Sequence, residues 1–342
     1  MTLKNYQILG KIGEGTFSHV VKAYSKEHGL IVAIKVLQNN SSEYSEIKKE
    51  ISIMSHLSHP IIPKYYESFV ENDSTFIVME YIEGTNLLEF VNNHNGIPES
   101  LAKKIFCQIL SGIEYIHSKN IMHRDLKAEN ILINTIMNVK IIDFGMSKNS
   151  YNSLFNSFCG SVPYCAPERI VAQPYSFSAD IWSLGIILFS MVACQLPFYH
   201  EDQQMLGICI VQEDPEYDDD MSPELVSLLS RILEKDPNKR ICLREIIEHP
   251  FIKNEYRLVQ KKIEILLSVK NQKTTIARRS TITNSNCVLD QLKLKKGSIM
   301  KPMNVIMTPK RSFLKLKPSK KRRDPFSHSM GEIPRPTNFR HD

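Results

Sequence analysis

The sequence has few of the features that mark several large classes of protein. Its 342 residues include one tryptophan and seven cysteines, an odd number in which no two form a CxxC pair. This pattern excludes a disulfide framework and a typical zinc site, and it favours a reducing compartment. The first residues lack the charged and then apolar layout of a secretory signal peptide, so none is predicted.

Long hydrophobic runs are also scarce. Residues 181–198 come nearest to a membrane span, but they are short for a bilayer and include Ser183, Ser190 and Gln195. The run directly follows Asp180. It is therefore interpreted as a buried core helix, and no transmembrane segment is predicted.

Charge is distributed unevenly along the chain. Residues 254–342 contain 21 lysine and arginine residues and 6 acidic ones, a net charge of about +15. Residues 1–253 carry about −9, because the whole chain has a net charge of +6. The sequence therefore predicts a compact domain followed by a basic appendage.

Three oxygen-bearing side chains are concentrated in residues 123–145, which read HRDLKAENILINTIMNVKIIDFG. Asp125 and Asn130 lie in a polar segment, and Asp143 follows an apolar, hairpin-like run over residues 131–142. Carboxylate and amide oxygens can hold hard divalent cations. They can also orient a hydroxyl group against a phosphate.

The pattern H-R-D-L-x-x-x-N followed by D-F-G resembles the catalytic and metal-binding loops of eukaryotic protein kinases. A glycine-rich turn, GEGTFSHV at 13–20, and the motif V-A-I-K at 32–35 also match, and D-L-K is typical of the serine/threonine branch. CGSVPYCAPE at 159–168 and RILEKDPNKR at 231–240 resemble the calcium/calmodulin-dependent and AMP-activated (CAMK-like) kinase group. The resemblance covers roughly residues 4–253.

The resemblance implies an α+β fold of two lobes. A small β-rich N-lobe with one key helix would occupy about 4–79, a hinge about 80–86, and a large, mostly helical C-lobe about 87–253. Residues 254–270 read as a basic amphipathic helix, either an autoinhibitory or calmodulin-binding segment or a final helix packed on the large lobe. Residues 271–342 are predicted to be a basic tail of low order.

The glycine-rich turn and the V-A-I-K lysine imply a site for the phosphates of ATP. Backbone N–H groups of the turn can cover phosphates because glycine has no Cβ. Ser18 stands where many relatives have a third glycine. Lys35 would contact the α- and β-phosphates, and its expected partner is Glu50, with Glu46 as the alternative.

Residues 76–81, FIVMEY, resemble the strand that leads into the hinge of a kinase. Met79 would be the gatekeeper, and the backbone of Glu80 and Ile82 would hold adenine. Packing in the core is an open alternative for the four wall residues Ile12, Val20, Ala33 and Leu132. The full set implied in nucleotide binding is Ile12, Gly13, Glu14, Gly15, Thr16, Phe17, Ser18, Val20, Ala33, Lys35, Met79, Glu80, Ile82, Glu129, Asn130, Leu132 and Asp143.

The catalytic roles implied by the resemblance fall on four residues. Asp125 would accept or orient the proton of the substrate hydroxyl, and Lys127 would neutralise charge on the transferred phosphoryl group. Asn130 and Asp143 would hold Mg²⁺, for which Mn²⁺ could substitute.

Residues 143–168 resemble an activation and substrate-docking loop. Ser157 occupies the position phosphorylated in similar kinases, with Ser153 as the alternative, and Arg124 would pair with the added phosphate. Ser161 would hydrogen-bond the catalytic aspartate and lysine.

Three further residues resemble structural elements of the kinase C-lobe. Asp180 would fix the backbone of the catalytic loop, and Glu168 and Arg240 would form a buried ion pair.

The expected partners are proteins whose serine or threonine hydroxyls accept phosphate, together with an upstream activating kinase. Glu129 would select a basic substrate, whereas Asn86 replaces a second glutamate used for that purpose in many basophilic relatives. The tail contains two phosphorylation-site patterns, at 278–281 and 308–311. A basic patch at 317–323 could serve nuclear import or bind an anionic surface or a regulatory protein, so a cytoplasmic and also nuclear location is expected.

Two classes of function compete. The first is an active serine/threonine kinase, and the second is a pseudokinase or scaffold that acts through its kinase-like domain and basic tail. Lys35, Glu50, Asp125, Asn130 and Asp143 are all present, which favours the enzyme because a scaffold usually lacks at least one of them. Nucleic-acid binding is not predicted as the main activity, since the sequence offers no aromatic stacking platform or folded reader.

Overall fold

The N-lobe is built on an antiparallel sheet. The computed structural model describes residues 2–14, 18–39, 44–145, 147–149 and 161–283. In the sheet, the strand order is β1-β2-β3-β5-β4. The N-lobe elements are β1 (Tyr6–Glu14), β2 (Ser18–Ser25), β3 (Leu30–Gln38), helix α1 (Tyr44–His56), β4 (Tyr65–Glu71) and β5 (Ser74–Glu80).

Strand β3 shows how the sequence pattern positions the site. Side chains alternate between the two faces of a strand. Val32, Ile34 and Val36 therefore pack in the N-lobe core, while Ala33 and Lys35 face the cleft between the lobes. β-Branched residues favour this extended conformation, so the same pattern specifies the strand and the direction of Lys35.

The C-lobe is mostly helical, and the two-lobed α+β architecture predicted from the sequence is confirmed. A small sheet of order β6-β8-β9 and a β7–β10 pair carry the loops of the site. The elements are β6 (Thr85–Asn86), α2 (Leu87–His94), α3 (Glu99–Ser118), β7 (Ile121–Met122), β8 (Ile131–Ile133), β9 (Val139–Ile141), β10 (Lys148–Asn149), α4 (Pro167–Ile170), α5 (Ser178–Ala193), α6 (Gln203–Gln212), α7 (Pro223–Ile232), α8 (Leu243–Glu248) and α9 (Lys253–Thr283).

Helix α5 forms the centre of the C-lobe core. It is apolar on nearly every side, and its residues from Ala179 to Met191 are all buried. It contains residues 181–193 of the run at 181–198 that was predicted to be a core helix, and it ends five residues before that run does. Within the described part of the chain, no helix combines the length and apolar character needed to cross a bilayer.

Helix α9 lies along α3 on the large lobe. Gln260 Nε2 donates to Ser111 Oγ at 3.1 Å, the Tyr256 hydroxyl donates to Glu114, and Val259 and Ile263 are buried. The helix is longer than the predicted 254–270 and continues through residues 271–283, which the sequence analysis assigned to the tail. No glycine or proline occurs between residues 250 and 297 to end the helix earlier.

Candidate active site

A cleft of about 530 Å³ separates the two lobes. It is lined by every residue of the predicted nucleotide-binding set that the structure describes. Gly15, Thr16 and Phe17 of that set lie outside the described residues. Sequence reasoning missed five lining residues, which are Met54, Pro63, Tyr81, Ile142 and Phe144.

Lys35 is held at the back of the cleft between two carboxylates. Its Nζ lies 2.6 Å from Glu50 Oε1 and 2.9 Å from Asp143 Oδ1. Burial alone would lower the pKa of Lys35, but the two negative charges outweigh it and raise this pKa above its usual range. Lys35 is therefore a permanent cation.

The sequence offered two glutamates on α1 as partners for Lys35, and the geometry selects Glu50. Glu50 is buried on the same face as Ile47 and Met54, whereas Glu46 is exposed and pairs with Lys49 at 2.7 Å. Residues i, i+3 and i+4 share one face of a helix, which places Glu50 with the apolar residues.

Asp143, which pairs with Lys35, is also exposed to the cleft. Its side chain is 47% exposed, and its backbone has a φ of 64°. Partial burial raises the pKa of Asp143, but the charge and hydrogen bond of Lys35 outweigh this effect, so the net pKa is lowered. Asp143 is therefore ionised at neutral pH and presents a carboxylate to the cleft.

Polar groups from two loops converge on Asp125. Lys127 Nζ lies 2.8 Å from Asp125 Oδ2 and donates to Ser161 Oγ at 3.1 Å. Asn130 Nδ2 donates to the backbone oxygen of Asp125 at 2.9 Å and to its Oδ2 at 3.2 Å. The Ser161 N–H donates to Asp125 Oδ1 at 3.3 Å. Both carboxylate oxygens are thus oriented by neighbours on two different loops.

The backbone of this loop is anchored on α5 by Asp180. Its Oδ2 accepts from the His123 N–H and its Oδ1 from the Arg124 N–H, each at 2.9 Å. Burial raises the pKa of Asp180, but hydrogen bonding and charge from His117, 2.9 Å away, help to lower it overall. The buried carboxylate holds Arg124 at a φ of 71°, a left-handed conformation that is costly for a non-glycine residue.

Asn130 and Asp143 have the chemistry expected of Mg²⁺ ligands. Because Asn130 directs its Nδ2 at Asp125, its amide oxygen is the end left for a cation, and Asp143 supplies a half-exposed carboxylate. Mg²⁺ in phosphate-transfer sites is commonly held by one or two carboxylates together with substrate phosphates. The donor set therefore fits this ion.

Arg124 is in contact with Tyr175 in the structure. Its side chain is buried, and Nε and Nη2 donate to the Tyr175 hydroxyl at 2.8 and 2.5 Å. Ser157 and Ser153, the predicted phosphorylation positions, lie outside the described residues. The pairing of Arg124 with a phosphate stays a prediction.

Glu168 and Arg240 form a two-pronged ion pair. Arg240 Nη1 and Nη2 lie 2.8 and 2.9 Å from the two Glu168 oxygens, and both side chains are almost completely buried. Arg240 also donates to the backbone oxygens of Ser178 and Glu234. The pair joins α4 to the segment between α7 and α8.

Lys235, next to this pair, should make stability depend on pH. Its Nζ donates to the Ile210 oxygen at 2.7 Å and lies 4.1 Å from the Phe198 ring, and burial lowers the pKa of Lys235 to about 8. The unfolded chain, with a lysine pKa of about 10.4, binds more protons between these two values. The contribution of this group to the free energy of unfolding should therefore rise as pH increases from 8 to about 10.

The measurement is urea unfolding of the wild type and of Lys235→Met at pH 7 and pH 10. The free energy of unfolding of the wild type, relative to that of Lys235→Met, should be larger at pH 10 than at pH 7. A difference independent of pH would contradict the lowered pKa.

The sequence matches that of a known protein family. The family model for the protein kinase domain matches residues 6–252, well over half of the chain. This chain belongs to the protein kinase family. The two lobes, the cleft and the loop around Asp125 are therefore those of a protein kinase domain.

Several curated kinases are similar to this protein kinase. It is 36% identical over 250 residues to the Aurora kinase of Dictyostelium discoideum, covering 72% of this chain and 65% of that protein. It is 36% identical over 261 residues to the SNF1-related protein kinase catalytic subunit alpha KIN12 of Arabidopsis thaliana, covering 75% of this chain and 53% of that protein. Identity is also 36% over 270 residues to mitogen-activated protein kinase kinase 2 of Arabidopsis thaliana, covering 75% of this chain and 74% of that protein. The chain thus spans less than two thirds of the first two relatives.

Proposed function

We propose that this kinase transfers the γ-phosphoryl group of ATP to serine or threonine hydroxyls of proteins. The observation that carries the proposal is that Lys35, paired with Glu50 and Asp143, lines the same cleft as Lys127, which pairs with Asp125. Phosphoryl transfer needs positioning and charge stabilisation more than covalent chemistry, and these groups supply both.

Each group has a defined task in this proposal. Lys35, fixed by Glu50, binds non-reacting phosphates, and Asp125 orients the hydroxyl and accepts its proton. Lys127 lies between Asp125 and Ser161, where it balances charge on the moving phosphoryl group. Mg²⁺ held by Asn130 and Asp143, or Mn²⁺ in its place, would neutralise phosphate charge when bound.

Replacing Lys35 with methionine tests the proposed role of this residue in binding the phosphates of ATP. The rate of transfer should fall about 10²-fold, because a preorganised cation is lost from the phosphate site. The measurement is transfer of labelled phosphate from ATP to a serine/threonine peptide library in the presence of Mg²⁺. Lys49→Met, which removes an exposed lysine of α1, is the control and should keep the wild-type rate. Equal transfer rates in Lys35→Met and Lys49→Met would show that Lys35 does not contribute to phosphate transfer.

We further propose a preference for basic substrates that depends on Glu129. This residue lines the cleft beside Asn130, and its carboxylate is close to the Tyr164 hydroxyl. Burial, and after it the negative charge of Glu129, raises the pKa of Tyr164 well above its usual range. Glu129→Gln removes a negative charge from the cleft lining, so it should lower the preference for arginine in the peptide library, while the rate on an arginine-free peptide stays constant. A preference retained in Glu129→Gln would assign the selection to other residues.

The proposal also covers how this kinase is regulated, which kinase group it belongs to and where in the cell it acts. Activation by phosphorylation of Ser157, membership of the CAMK-like group and a cytoplasmic and nuclear location all rest on the sequence patterns. The relatives named above carry several kinds of kinase name, so they do not choose a group. The scaffold alternative is the weaker proposal, because each of the five residues that a scaffold would lack is present.

A further inference from the structure

A second groove, of about 830 Å³, lies behind the hinge. Its walls are the hinge, the turn between β8 and β9, and one face of α9. Hinge residues 80–82 line both this hinge-back groove and the ATP cleft. Its principal lining residues are Tyr81, Gly84, Ile136, Leu258, Lys262 and Leu266.

The face of α9 beside the hinge-back groove is an exposed apolar stripe. Leu258, Ile265, Leu266 and Val269 are 60, 63, 48 and 45% exposed. Their spacing of seven, eight and eleven residues from Leu258 places them on one side of a helix. Ile136, across the groove, is 71% exposed. Exposed apolar side chains grouped on one face of a helix are typical of an interaction site.

The walls of the groove are tied together by polar contacts. Lys262 Nζ donates to Asn138 Oδ1 at 3.1 Å, which joins α9 to the β8–β9 turn. Lys140 Nζ lies 2.6 Å from Glu80 Oε2. These three charged groups already have partners, so the apolar side chains beside them are the contacts that the groove offers to an apolar occupant.

The chain beyond α9 contains a segment with this chemistry. Residues 302–309, PMNVIMTP, carry no charge although the surrounding tail is strongly basic. Four of the five residues from Met303 to Met307 are aliphatic or thioether side chains, the densest such cluster after Thr283. The flanking prolines restrict the backbone and favour an extended conformation.

The length of the connection matches the distance to be covered. Leu266 is 17 residues before Thr283, which corresponds to about 26 Å of helix. Met303 is 20 residues after Thr283, and a random-coil chain of that length has an end-to-end distance of about 25 Å. A linker whose length matches its span gives an effective concentration on the order of 1 mM.

We propose that residues 302–309 fold back and bind in the hinge-back groove, with Val305 and Ile306 covering the apolar stripe of α9. The occupant is thus a segment of the same chain. The proposal is independent of phosphate transfer, because it concerns a surface on the outer side of the hinge.

Hydrogen exchange in the full-length chain tests the proposal. With a peptide affinity of about 100 µM, tethering would slow amide exchange at occupied positions about tenfold. The double variant Val305→Asp/Ile306→Asp should therefore exchange about tenfold faster at residues 82–84 and 136–138. The matched control, Phe313→Asp/Leu314→Asp, alters another apolar pair of the tail and should leave this exchange unchanged.

A second arm identifies the docking surface. A labelled peptide of residues 301–310 should bind the Val305→Asp/Ile306→Asp chain and lose that binding when Leu266→Asp is added. Leu266 is half-exposed, so this change leaves the core intact. Unchanged exchange in the tail double variant would overturn the proposal. So would light scattering that shows a dimer dissociated by Leu266→Asp alone, since a second copy would then cover the stripe.

Discussion

Replacing Asp125 with asparagine is expected to lower the rate of phosphate transfer by about three orders of magnitude. The carboxylate is oriented by Lys127, Asn130 and Ser161, so the substituted amide should stay in place without unfolding the loop. An amide cannot accept the proton of the substrate hydroxyl. Removing a positioned acid or base costs roughly 10²–10⁴ in rate.

The measurement pairs single-turnover transfer from MgATP with thermal unfolding of the same variant. Asp73→Asn is the matched control, because Asp73 is exposed in a turn at a φ of 57°, which asparagine also adopts readily. The control should keep the wild-type rate, and both variants should keep the melting temperature. A normal rate in Asp125→Asn would show that another group serves as the base.

Replacing Arg240 with leucine should destabilise the protein by about 3–5 kcal/mol. The change leaves the Glu168 carboxylate, which is 1% exposed, without its cation. It also removes the hydrogen bonds that Arg240 donates to the backbone oxygens of Ser178 and Glu234. Removing one partner of a buried pair is costly, because the remaining charge stays desolvated.

Urea unfolding at pH 7 measures this effect. The control is Arg231→Leu, which removes an exposed pair with Glu245 at 3.1 Å and should cost less than about 1 kcal/mol. The double variant Arg240→Leu/Glu168→Leu should recover part of the loss, since it removes the stranded charge. Equal stability of Arg240→Leu and Arg231→Leu would mean that the Glu168–Arg240 pair contributes no more than a surface contact.

The motifs that resemble those of protein kinases, together with local spacing, were sufficient to predict the two-lobed architecture and the pairing of Lys35 with Glu50. The alternation of β3 places Lys35 on the cleft side, and the helical period of α1 separates the buried Glu50 from the exposed Glu46. Such features depend on spacings of two to four residues within one element. A sequence shows these spacings directly.

Contacts between distant elements were predicted only where the kinase motifs implied them, as for Glu168 and Arg240. Tyr175 approaches Arg124 across 51 residues, and no local pattern indicates this pairing. The sequence also left open whether the helix after the C-lobe is inhibitory or packed on that lobe. The structure shows it packed along α3 through Tyr256, Val259 and Ile263, because a helix face finds its partner only in the folded chain.

The most direct test of the central claim is transfer of labelled γ-phosphate from ATP to a peptide library containing serine, threonine and tyrosine. It uses the full-length protein with Mg²⁺, followed by identification of the labelled amino acid. The account predicts phosphoserine and phosphothreonine, with transfer abolished by chelation of the metal. Absence of transfer from a folded, nucleotide-binding protein, even after treatment with an activating kinase, would contradict it and favour the scaffold.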